Sequence, residues 1–117
     1  MLRLKGETFP KRARLTKRPE FLNVSREGRK IHTPHYIVIR KPNEKGESRL
    51  GITVSAKVGK AVVRNRIKRH LREFFRRHRQ ELPPHHDIVI IARRGAEKLS
   101  LKEVTAEVAA AVLKDSG

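Results

Sequence analysis

Lys60-Ala61-Val62-Val63-Arg64-Asn65-Arg66-Ile67-Lys68-Arg69-His70-Leu71-Arg72-Glu73-Phe74-Phe75-Arg76-Arg77-His78-Arg79 reads as one long helix with two unlike faces. Val63, Ile67, Leu71, Phe74 and Phe75 recur at i, i+4, i+8, i+11 and i+12, which at about 100° per residue confines them to one side that packs on a sheet. Winding the rest of the segment places Asn65, Lys68, Arg69, Arg72, Arg76 and Arg79 on the opposite side, exposed by construction. Arg66 and Arg77 fall on a flank with Glu73, which can also reach Arg69 at i, i+4. Nine Lys or Arg stand in this stretch against the single acid Glu73. Like charges at i, i+4 oppose each other, so a stripe of one sign without compensating carboxylates calls for a bound polyanion. A helix of roughly 20 residues spans about 30 Å, enough to follow several phosphates.

The approach to this helix, Ser55-Ala56-Lys57-Val58-Gly59-Lys60, adds to the site. Gly59 permits a sharp entry, and a helix N-terminus presents unpaired N–H groups to an anion. The GxxxxGK[ST] pattern of a nucleotide loop is absent, which excludes that class of NTPase.

Working outward, His35 to Arg40 and Arg49 to Val54 are β-branched runs separated by the polar stretch Lys41 to Ser48, a pattern that predicts a hairpin with a loose loop. Pro34 ends or bends any strand that begins near Arg29. Asp87 to Ala92, after Pro83-Pro84, is continuously apolar past its first residue and predicts a strand buried on both faces or central in its sheet. Ser100-Leu101-Lys102-Glu103 is a capping box opening a last helix, whose Leu101, Val104, Val108 and Val112 form a core stripe. At the other end Thr16 is placed to cap a short helix with Pro19 in its first turn and Gly28 as its stop, and Phe21 and Val24 face inward or line a groove. Residues 1–14, with Arg3, Lys5, Lys11, Arg12 and Arg14, read as a flexible basic arm that orders on its polyanionic partner, and residues 15–117 as one α+β domain.

Among the 117 residues, 29 Lys and Arg against 12 Asp and Glu leave a formal charge of +17. Nucleic acid is the partner such a surface fits, because each neutralised phosphate releases condensed counterions. No run approaches the roughly 20 apolar residues of a membrane-spanning helix, and Met1 to Arg14 has no apolar signal-peptide core. The absence of cysteine removes disulfides, thiolate zinc sites and cysteine nucleophiles, and suits a reducing cytoplasm. His32, His35, His85 and His86 have no cluster of Asp, Glu or Cys around them to complete a metal shell. His70 and His78 lie two turns apart with no carboxylate to orient either, so no constellation for a self-sufficient nuclease stands out and no catalytic residue is expected. Charge of this kind explains affinity but not choice of nucleic acid, and a general RNA or DNA binder is the alternative.

The order Lys57-Val58-Gly59-Lys60-Ala61-Val62-Val63-Arg64-Asn65-Arg66-Ile67-Lys68-Arg69, followed by Arg72-Glu73, narrows that choice: it resembles the signature of the bacterial ribonuclease P protein, with Arg64-Asn65-Arg66 and Lys68-Arg69 its most specific part. The resemblance extends from about Leu15 to Leu113. It implies a ribosomal protein S5 domain 2-like fold of order α-β-β-(β)-α-β-α, a small mostly antiparallel sheet packed with helices, and a left-handed βαβ crossover where the general rule would give a right-handed one. Arg29 to Thr33 would supply a short extra strand. The resemblance further implies a subunit that joins a large catalytic RNA and assists magnesium-dependent removal of 5′ leaders from precursor transfer RNA. The RNA carries the chemistry and holds most of the Mg2+, with no organic cofactor, no membrane and no obligate protein partner. On this sequence the catalytic-RNA-binding residues would be Lys57, Lys60, Arg64, Asn65, Arg66, Lys68, Arg69, Arg72 and Arg76. Arg14, Phe21 and Tyr36 would line a cleft for the single-stranded leader between the first helix and the sheet. Ser25 stands where similar proteins carry a second aromatic one turn after the first, so stacking would rest on few rings, and core packing is the alternative for Phe21.

Overall fold

Four strands form one mixed sheet in the computed structural model, which describes residues 14–15, 17–43, 48–78 and 85–114. In chain order the elements are α1 (Arg18–Glu27), β1 (Arg29–His32), β2 (Tyr36–Pro42), β3 (Arg49–Thr53), α2 (Ala61–His78), β4 (His86–Ala92), a 3-10 turn (Ala96–Lys98) and α3 (Leu101–Lys114). The strand order is β1-β2-β4-β3. Residues 1–13 of the basic arm, the capping candidate Thr16, Arg79 and Pro83-Pro84 lie outside the described residues.

The expected hairpin between β2 and β3 does not form. β4 lies between them, antiparallel to β2 and parallel to β3. The reason is the apolar run of β4: Asp87, Ile88, Val89, Ile90 and Ala92 are all buried, and only a central strand covered on both faces accommodates such a sequence. The parallel β3–β4 pair then requires a crossover, which α2 supplies. The hairpin that does form joins β1 to β2, so Arg29–His32 is the short extra strand. Its turn is closed by the Thr33 N–H donating to the Tyr36 carbonyl at 2.8 Å and the Tyr36 N–H donating to Thr33 Oγ1 at 2.9 Å. Pro34 sits in that turn, where no ladder N–H is needed.

Strand alternation divides the core in two. Tyr36, Val38, Leu50, Ile88, Ile90 and Ala92 point to one face, where they meet Ile67, Leu71, Phe74 and Phe75 of α2 and Val104, Val108, Ala111 and Val112 of α3. Ile39 and Val89 point to the other, against Leu15 and Val24, with Phe21, Ile37 and Ile91 partly buried beside them.

The helix ends follow local chemistry. In the capping box of α3, the Glu103 N–H donates to Ser100 Oγ at 3.2 Å and the Ser100 N–H donates to Glu103 Oε1 at 2.9 Å. α1 has Lys17 at its cap without a side-chain bond, and Pro19 in its first turn. Gly28 ends α1, but with φ −80° its role is steric: a Cβ there would lie 2.6 Å from the Val24 carbonyl oxygen and 2.7 Å from Ile39 Cγ2. Glycine lets the end of α1 sit directly on β2.

Candidate nucleic-acid interface

α2 has the two faces its periodicity predicts. Ile67, Leu71, Phe74 and Phe75 are buried, while Asn65, Arg66, Arg69, Arg72 and Arg77 are exposed and Arg64, Lys68 and Arg76 half-buried. Lys57 and Lys60 are exposed at the entry, where a Cβ on Gly59 would stand in tight contact, 3.0 Å from Val63 Cγ1. Arg64 turns back so that its Nε donates to the Gly59 carbonyl at 3.1 Å, which fixes its stem at the head of the helix.

The two flanks of the stripe differ. Arg64, Lys68 and Arg72 form an i, i+4, i+8 row on the side of β3. Arg72 lies near enough to Arg14 that burial and then the Arg14 charge lower its pKa. Arg14 makes an isolated parallel bridge to Leu50, and the Leu15 N–H donates to the Leu50 carbonyl at 2.9 Å. The last residue of the expected flexible arm is therefore laid along the edge of the sheet.

On the other flank Arg66 Nη2 donates to the Glu97 carbonyl at 2.7 Å, tying α2 to the 3-10 turn. His70 lies on the same side, and burial followed by the Arg66 and Arg69 charges lowers its pKa.

Glu73 does not hold Arg69. It accepts from Arg76 (Nη2 at 2.6 Å, Nε at 3.1 Å) and from Arg77 (Nε at 2.6 Å). A carboxylate N-terminal to its cation at i, i+4 is the better helical orientation, which favours Arg77 over Arg69. Bonding to Arg76, offset in part by burial and reinforced by Arg77, brings the Glu73 pKa down to about 2. The lone acid of α2 is thus committed to Arg76 and Arg77 near the C-terminal end, and the helix has no other carboxylate to pair with Arg64, Lys68, Arg69 or Arg72.

Beyond Arg72 and Arg14 lies the face of the sheet that carries α1. Three rows cross it in register: Arg49, Asp87 and Lys41; then Gly51, Val89 and Ile39; then Thr53, Ile91 and Ile37, continued on β1 by His32. α1 is held at the first row by ion pairs, Arg49 Nη1 to Glu20 Oε2 at 3.0 Å and Lys41 Nζ to Glu27 Oε1 at 3.4 Å. It buries the second row, with Val24 fully enclosed and the Phe21 ring over Gly51, where a Cβ would come within 2.7 Å of that ring. The third row stays open: Ile37 and Ile91 are partly accessible, and Thr53 and His32 exposed. Phe21, itself half-buried, forms the wall of this strip.

Tyr36 is not in the cleft, and its assignment to the leader site is corrected. It is 0% exposed and packs on the α2 and α3 face, the opposite side of the sheet from Phe21. A period of two places Tyr36 with Val38 and sends Ile37 with Ile39 toward α1, so one strand cannot present Tyr36 and Ile37 to the same groove. The Tyr36 hydroxyl is buried with no hydrogen-bond partner among the described residues. Burial and the Glu107 charge raise its pKa well above the usual phenol range. The floor residues Ile37, Ile91, Thr53 and His32 were missed from sequence. Strands covered on both faces give no local signal for which residues share a side, and the register that aligns these four across the sheet is fixed only by packing.

Among the described residues no group of three His, Cys, Asp or Glu is arranged to hold a metal ion, and no helix is long and apolar enough to cross a membrane. The arrangement suits polyanion binding: α2 presents a row of cations, and the sheet face that carries α1 keeps an apolar strip open beside an aromatic ring.

Comparison with known proteins identifies the family. The family model described as ribonuclease P matches residues 9–115. The ribonuclease P protein component of Citrifermentans bemidjiense is 48% identical over 106 residues, covering 91% of this chain and 90% of that one. That of Desulfosudis oleivorans is 46% identical over 109 residues, covering 93% and 90%. Of solved structures, the RNase P protein from Thermotoga maritima superposes with a TM-score of 0.81 at 33% identity over 89% of this chain and 98% of that one. The RNase P protein of Staphylococcus aureus gives 0.78 at 34% identity over 87% and 93%. The chain belongs to the ribonuclease P protein family, whose members act with an RNA subunit in removing the 5′ leader of precursor transfer RNA.

Proposed function

We propose that this chain binds the catalytic RNA through the exposed face of α2 and receives the single-stranded 5′ leader across the strip beside Phe21, performing no bond chemistry itself. The observation that carries the reading is the one-sign face of α2, with Arg64, Lys68, Arg69 and Arg72, and the open row Thr53, Ile91 and Ile37 beside Phe21 supports the leader site. Lys57, Lys60, Asn65, Arg66, Arg69 and Arg76 extend the phosphate-binding surface on the catalytic-RNA side. Phe21 stacks on a leader base, a contact worth about 1–3 kcal/mol per base, and the aliphatic floor takes the sugar and base edges. Mg2+ for hydrolysis is held mainly by the RNA; the protein lowers the repulsion between two RNA strands and keeps the leader from diffusing. Residues 1–14 add basic charge for the same RNA, residues 15–117 form the binding domain, and a cysteine-free chain of this kind suits the cytoplasm.

Lys68→Ala and Arg72→Ala test the reading in the reconstituted holoenzyme. Each variant should weaken RNA binding and reduce the slope of log affinity against log salt by about 0.7–0.9, with unchanged circular dichroism. Unchanged slopes in both variants would remove α2 from the interface. Cleavage of precursor by the protein without RNA would overturn the assignment of the chemistry.

A further inference from the structure

α1 buries little with which to hold its place. Val24 is its one fully buried side chain, and apolar contact alone resists sliding weakly because it is non-directional. The directional contacts lie along one flank. Glu20 accepts from Arg49 Nη1 at 3.0 Å, Asn23 Oδ1 accepts from Lys41 Nζ at 2.8 Å, and Glu27 pairs with the same ammonium at 3.4 Å. Arg49 and Lys41 stand on β3 and β2 at the two ends of one row, with Asp87 of β4 between them.

Arg49 is itself immobilised. Its Nε and Nη2 donate to Asp87 Oδ1 and Oδ2, both at 2.9 Å, and Asp87 Oδ1 also accepts from Asn43 Nδ2 at 2.7 Å. Such a forked guanidinium–carboxylate pair fixes direction as well as distance. Glu20 is followed by Phe21, whose ring rests on Gly51, two residues along β3 from Arg49.

We propose that this ionic row is the stop that sets how far α1 reaches across the sheet, and therefore how much of the row Thr53, Ile91 and Ile37 stays open. Glu20 and Arg49 are positioning residues for leader recognition, acting through Phe21 and touching no RNA. The inference rests on the leader-cleft reading above.

The test compares the affinity of the holoenzyme for a leader-bearing precursor transfer RNA and for its mature product. Glu20→Ala frees the N-terminal half of α1 and should lower the precursor-to-mature affinity ratio about fivefold, while leaving affinity for the catalytic RNA unchanged. Glu20→Gln keeps an acceptor for Arg49 and should retain most of the ratio. If the loss of negative charge were all that mattered, alanine and glutamine would behave alike and both RNAs would gain affinity equally. That result, or an unchanged ratio in Glu20→Ala, overturns the proposal. Phe21→Ala separates the two readings: if it lowers the ratio and Glu20→Ala does not, only the positioning role fails. If neither lowers it, the leader cleft fails and the positioning role with it.

Discussion

Asp87→Ala removes the carboxylate at the centre of the sheet's ionic row, and the structure sets the size of the effect. Asp87 accepts two bonds from Arg49 and one from Asn43, and the Asp87 and Arg49 side chains are 12% and 14% exposed. Removing one partner of a buried pair costs about 3–5 kcal/mol, because the other charge stays out of water uncompensated. Arg49 retains Glu20, so the expected loss is at the lower end, about 3 kcal/mol. A chain of this length has about 6–18 kcal/mol of stability at ~0.05–0.15 kcal/mol per residue, so the variant still folds, with a midpoint lower by roughly 12 °C.

Urea unfolding of the isolated protein reads the loss, and an unchanged m-value shows that the compared states are the same. Acidification supplies the second half of the test. Burial raises the Asp87 pKa, but bonds from Arg49 and Asn43 outweigh it and leave the net value lowered. A carboxylate lowered in the folded state contributes stability that is complete above its unfolded value and disappears as pH falls through the folded one. The gap between wild type and Asp87→Ala should therefore be widest at neutral pH and close below the ordinary carboxylate range. A loss under about 1 kcal/mol at neutral pH, or a gap that persists in acid, would refute the account of this pair as the core ionic anchor.

Tyr36→Phe should raise stability by about 1 kcal/mol, since it removes a buried hydroxyl with no partner among the described residues, and it should leave the precursor-to-mature affinity ratio unchanged. A destabilised variant, or a lowered ratio, would return Tyr36 to a polar role. Gly51→Ala inserts a methyl 2.7 Å from the Phe21 ring and 3.1 Å from Leu15 Cβ. It should cost about 1–3 kcal/mol in thermal unfolding and lower the same ratio by displacing the ring, and wild-type values for both would mean that Phe21 does not rest there.

Local and periodic features are legible in the chain itself. The faces of α2, the capping box at Ser100 and Glu103 and the burial of Val104, Val108 and Val112 depend on residues within a few turns of each other, and all take the form their spacing predicts. The same holds for the turn at Pro34 and the central place of Asp87 to Ala92. Less legible are choices between neighbours of equal sequence merit. Glu73 has Arg69, Arg76 and Arg77 within reach, and side-chain orientation selects the last two. β2 and β3 look like a hairpin because they are close in sequence, yet an apolar strand farther along requires the place between them.

The order of amino acids alone points to the partner class and marks the family: charge of one sign along one helical face, and the run Arg64-Asn65-Arg66. The cleft is a product of tertiary packing. A strand covered on both faces carries no alternation that says which side is which, so nothing local could separate Tyr36 from Ile37, or show that Arg49, Asp87 and Lys41 align under α1. Those assignments follow from register between distant segments, and register is fixed only when the whole sheet and its two helical layers pack together.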